Sequence, residues 1–132
     1  MPHQVSCYER VITIRLEGKV TALELVRDIR ATLDEQEKTS FLTVLVDVTL
    51  ADAFDSSIKS MLYRTFQHPR IKRIGICGVN SQIHKDVTDF ANIMTRVRPV
   101  MIAATEADLR AEFGLLARPK KLEGMLAYLK KA

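Results

Sequence analysis

No run of apolar residues in this sequence approaches the roughly 20 that a helix needs to cross a bilayer, so stable membrane insertion is not expected. The opening MPHQVSCYER has neither the basic start nor the apolar block of a secretory signal, which makes the cytoplasm the expected compartment. Cysteine is scarce. Cys7 and Cys77 stand far apart with no CxxC spacing, which argues for reduced, buried thiols and against redox or metal work. His3, His68 and His84 fall in separate segments without ligand spacing, so neither a metal nor a cofactor is expected. GxSxG, Walker and GxGxxG patterns are missing too. Gly75, Gly78 and Ser81 are too loosely arranged to cradle a phosphate, and strand packing accounts for the two glycines. There are no internal repeats and no low-complexity tracts.

What is present is the composition of an ordinary soluble domain. A chain of 132 residues, 47% apolar and 27% charged, can bury a core without disulfides or metal, and residues 1–132 are expected to form one domain. The net charge of +4 permits an acidic partner or an anionic surface. Positive charge concentrates at Arg64, His68, Arg70, Lys72 and Arg73. In that group Arg64, Arg70, Lys72 and Arg73 are candidates for holding a phosphate or lipid headgroup, with a solvated edge as the plainer account. Only Tyr63 and Phe66 are aromatic nearby, and Phe66 lies on an apolar stripe, so a nucleic-acid partner is not expected.

Taken in order, residues 4–8 and 11–16 read as strands joined by Glu9 and Arg10, a connection of hairpin length but not of favoured hairpin composition. Thr21 with Glu24 forms a capping-box pattern, and Ala22, Leu25, Val26, Ile29 and Leu33 then mark one face of a helix. Val44, Leu45, Val46 and Val48 form a strand covered on both faces. His68 and Pro69 break the helix that follows. Residues 71–79 give another strand. Ile83, Val87, Phe90, Ala91, Met94 and Val97 mark the face of a helix, and residues 100–104 give a short strand. Thr105 with Asp108 is a second capping signal, leading to Leu109 and Phe113 before Gly114. Residues 120–132 form an amphipathic helix whose stripe packs on the domain, on a second subunit in a homodimer, or on a membrane. An initial hairpin followed by alternating strands and helices predicts an α/β fold with a mixed, mostly parallel sheet.

The chemistry concentrates in residues 43–62. Asp47 and the segment 52–55 are expected beyond the carboxyl end of the buried strand, where α/β sheets place their sites. Asp55, Ser56 and Ser57 immediately precede Ile58, Met61, Leu62 and Phe66, an apolar stripe at helical spacing. Asp55 or Ser56 serves as the helix N-cap on the plainest reading. A serine nucleophile would need a base, and the only candidates, His68 and His84, are distant in sequence.

Two segments carry a family resemblance. Ile14, Arg15, Leu16, Glu17 and Gly18 run into a capped helix, and the strand with Asp47 is followed by Phe54, Asp55, Ser56 and Ser57. In this the chain resembles the STAS domains, the sulfate transporter and anti-sigma-factor antagonist family, and especially its SpoIIAA-like group. The resemblance implies a non-enzymatic regulatory module that binds a protein partner through Asp52, Phe54, Asp55, Ser56 and Ser57. It also implies that Ser56, the first serine after the aspartate, is the phosphorylation site. Where the family has glycine after the two serines, this chain has Ile58. Some SpoIIAA-like proteins are grouped with SEC14-like domains. That leaves the alternative of a carrier or sensor of a lipid or other apolar small molecule, with Phe66, Phe90, Met94, Met101 and Phe113 lining its pocket or simply packing the core.

Overall fold

Glu9 and Arg10 alone separate β1 (His3–Tyr8) from β2 (Val11–Gly18), and the two strands pair antiparallel from His3 opposite Leu16 to Tyr8 opposite Val11. Both turn residues are left-handed, with φ of 50° and 67°. That is the conformation a two-residue hairpin requires. The computed structural model describes residues 3–36 and 41–115. After the hairpin come α1 (Ala22–Glu35), β3 (Leu42–Ala51), α2 (Ser56–Thr65), β4 (Ile71–Cys77), α3 (His84–Met94), β5 (Val100–Ala103) and α4 (Glu106–Glu112).

The sheet order is β1-β2-β3-β4-β5, and every pairing after the first is parallel. This is the mixed, mostly parallel α/β sheet that the residue pattern predicts. Alternation along the strands divides the core. Ile12, Ile14 and Leu16 of β2, Val44, Val46 and Val48 of β3, and Ile74 and Ile76 of β4 face α1, α2 and α3. On the other face Val11, Leu45 and Cys77 meet Leu109 of α4, with Met101 and Phe113 beside them. Gly75 lets α4 lie directly on β4, since a Cβ there would come within 2.8 Å of Leu109 and 2.9 Å of Phe113.

Several expected boundaries move. β3 continues to Ala51, because Leu50 and Ala51 pair with Glu17 and Gly18 after a shift in register. Asp47 therefore lies within the strand and not beyond its end. β4 stops at Cys77, and Gly78 opens the loop after it with φ of 77°. A Cβ at Gly78 would fall 2.0 Å from the Thr49 hydroxyl, so the left-handed backbone and this close approach in the loop, not packing within the strand, explain that glycine. α3 ends at Met94, which leaves Val97 off the core face and 38% exposed. The helix expected over residues 120–132 lies outside the described residues. Among the described residues no helix is long and apolar enough to cross a membrane.

Candidate functional site

Beyond β3 the chain turns back at once. The Asp52 N–H donates to the Gly18 carbonyl at 3.1 Å, tying the loop to the end of β2. Phe54 then drops into the core, fully buried, with its ring edge-on to Phe90 at 5.5 Å. Phe54 is therefore corrected from a partner-contacting residue to an anchor, because its ring has no surface to offer. Asp55 follows in extended geometry as the N-cap of α2, its Oδ1 accepting the Ile58 N–H at 3.0 Å. Ile58 is 2% exposed and belongs to the same core as Phe54. These two apolar residues bracket Asp55, Ser56 and Ser57 and fix their direction.

Asp52, Asp55, Ser56 and Ser57 are all exposed. Neither serine hydroxyl makes a hydrogen bond among the described residues. Ser56 opens onto a groove between α2 and α3 of about 570 Å³, whose lining includes Lys59, Tyr63, Arg64, Phe90 and Ile93. The Lys59 ammonium bridges to Asp86 of α3 at 3.1 Å. Ile93 is half exposed, and its signal was available in the sequence: it falls off the stripe formed by Val87, Phe90, Ala91 and Met94. Asp47 takes a different role. Its Oδ1 accepts the Thr49 N–H and hydroxyl at 2.9 and 2.6 Å, and its Oδ2 faces Arg15 at 3.9 Å.

No known protein-family model matches the sequence, and no curated protein matches it. Among solved structures the chain is similar to the crystal structure of an anti-sigma factor antagonist from Mycobacterium paratuberculosis, with a TM-score of 0.56 and 12% sequence identity. The match covers 75% of this chain and 83% of that one. The fold is STAS-like. In this STAS-like fold the exposed serines stand at the start of α2, at the same end of the sheet as the β2 to α1 connection.

The remaining predicted residues do not assemble as sets. Arg64 lies on α2, while Arg70 donates to the Leu33 carbonyl at the end of α1. Lys72 sits over the Phe41 ring, and Arg73 donates to Thr43 and to the Phe113 carbonyl on the α4 side. The four cations thus face different neighbours and form no single anion site, because a turn and the alternation of β4 send them apart. The apolar set divides as well. Phe66, Phe90 and Met94 pack in the larger core, whereas Met101 and Phe113 join Leu109 across the sheet. Among the described residues the five therefore belong to two clusters on opposite faces of the sheet and do not line one pocket. Among the described residues His68 and His84 hydrogen-bond neither serine, and no three His, Cys, Asp or Glu side chains gather as metal ligands.

Proposed function

We propose that this chain is a non-enzymatic, cytoplasmic regulatory module that docks a protein partner through Asp52, Asp55, Ser56, Ser57 and the adjoining α2/α3 groove. The observation that carries this reading is the pair of exposed, unbonded serine hydroxyls at a capped helix start beside an apolar groove. The similarity in fold to an anti-sigma factor antagonist supports it.

Ser56 is the proposed gate. A kinase would transfer the terminal phosphoryl group of ATP to the Ser56 oxygen, with ADP leaving and the hydroxyl proton lost. That would add roughly 1.5 to 2 negative charges at the groove mouth. The helix start favours such charge, while an acidic or apolar partner surface does not. Incubation with a native lysate and ATP should add one phosphate to the intact mass, and Ser56→Ala should abolish the gain. In affinity capture the chain should retain a protein that both Ser56→Asp and Ile93→Asp release. A capture profile identical for all three baits would sink the docking surface, and a mass gain unaffected by Ser56→Ala would sink the gate.

A further inference from the structure

Arg30 and Arg64 belong to different helices, α1 and α2. Arg64 sits in the last turn of α2, where a cation complements the helix dipole. Arg30 stands on the polar side of α1, short of its last turn, which carries no basic residue. Packing of α1 beside α2 brings both to one groove of about 370 Å³, together with Asp34 and His68. Among the described residues neither guanidinium makes an ion pair or a hydrogen bond. Both are exposed, and the one carboxylate in the lining, Asp34, bonds to neither, so both forks are open to an anion from solvent.

The surrounding acceptors are already engaged. The Leu33 carbonyl takes the Arg70 guanidinium at 3.3 Å and the Gln36 N–H at 3.2 Å. The His68 carbonyl takes Arg98 at 2.9 Å, and the Thr65 carbonyl takes the His68 N–H at 3.2 Å. The Thr65 hydroxyl donates to Met61. His68 Nδ1 accepts the Arg70 N–H at 3.2 Å, which in the neutral ring leaves the proton on Nε2. The groove therefore offers donors from α1, from α2 and from the turn after α2, against the single carboxylate of Asp34.

We propose that this groove binds a phosphomonoester. Each guanidinium presents a planar fork suited to phosphate oxygens. Donors arriving from three segments match three terminal oxygens better than the two coplanar oxygens of a carboxylate. The Asp34 carboxylate repels such a group, so the phosphate seats on the arginine side. Arg64 lines both this groove and the α2/α3 groove, whereas Arg30, Asp34 and His68 line this one and not the other. Arg64 stands at the opposite end of α2 from Ser56, roughly 12 Å along the helix, and Arg30 separates this site from the partner reading.

The test is a titration followed by amide and arginine side-chain NMR, using inorganic phosphate and glycerol 3-phosphate. In parallel, sedimentation is measured with phosphatidylcholine vesicles with and without phosphatidic acid. Saturable shifts at Arg30, Arg64 and His68 are expected, with Arg30→Gln and Arg64→Gln each weakening binding about tenfold. Asp34→Asn should tighten it. A response to glycerol 3-phosphate assigns a soluble ligand, and an Arg30-dependent response to phosphatidic acid alone assigns a lipid headgroup. No saturable response in any arm, or one that Arg30→Gln leaves unchanged in a folded variant, would overturn the site.

Discussion

Cys77 is 1% exposed on the α4 side of the sheet, level with Asp47 in the neighbouring strand. Burial first, then the carboxylates of Asp47 and Glu106, push its thiol up to about 12 from an ordinary 9.0, with Arg15 opposing them. The folded state therefore keeps a proton that the unfolded chain has released in this range. Unfolding lets that proton go, so stability falls as pH rises from 9.0 toward about 12, and the contribution is flat below 9.0. Urea denaturation at a series of pH values across that window should show a steeper loss for the native chain than for Cys77→Val, which keeps the apolar volume and removes the titration. Equal slopes would mean that the thiol ionises in the fold as freely as outside it. Scarcity and spacing were enough to expect a buried thiol here. The two carboxylates that face it come from β3 and α4, and no local pattern connects three residues so far apart in the chain.

The hairpin holds its register with residues that do not favour its turn. Glu9 and Arg10 both take left-handed conformations, which side chains bearing a Cβ adopt at a cost of roughly 1 to 2 kcal/mol each. Replacing Glu9→Asn together with Arg10→Gly supplies the pair preferred in such turns and leaves the Arg10 carbonyl free to accept the Thr43 N–H at 3.0 Å. The double variant should gain about 1 kcal/mol, read as a higher urea midpoint at unchanged slope. A midpoint at or below that of the native chain would show that the Glu9 and Arg10 side chains contribute contacts outweighing the strain. The length of this connection was legible in the sequence and its backbone was not, which is typical of what periodicity carries. Leu25, Val26, Ile29 and Leu33 declared α1, and Asp55 declared the start of α2. Nothing local declared that β3 would pair on to Ala51, or that Phe54 would turn inward instead of outward. Periodicity says which residues share a face of one element. It does not say which face meets which helix, and for that reason Met101 and Phe113 separated from Phe66, Phe90 and Met94. The same gap hid the groove that joins Arg30 to Arg64.

At the scale of the whole molecule, the sheet is clad unequally among the described residues. α1, α2 and α3 share one extensive core, while the buried cluster under α4 is Val11, Leu45, Cys77 and Leu109. α4 is a helix of 7 residues, too short to persist on its own. It is fastened by the Thr105 cap on Asp108 at 3.1 Å, by the Arg110 to Glu106 pair, and by Arg73, which donates to the Phe113 carbonyl at 2.7 Å and lies over the Phe113 ring. Burying the Leu109 side chain, the one fully buried apolar residue of α4, contributes roughly 1.5 to 3 kcal/mol. Opening α4 should therefore require less free energy than opening β2, β3 and β4, whose buried faces pack against three helices. Native-state hydrogen exchange should find the amides of α4 leaving through a partial opening, ahead of those in the central strands. Leu109→Ala should speed exchange in α4 and in the adjoining β5 while leaving α2 and α3 at their native rates. Phe54→Ala, made in the larger core, should cost about 3 to 5 kcal/mol and raise exchange in the central strands as well. If Leu109→Ala instead accelerated α2 as much as α4, the two faces would form one cooperative unit, and the surface around Ser56 would be energetically coupled to the layer on the far side of the sheet.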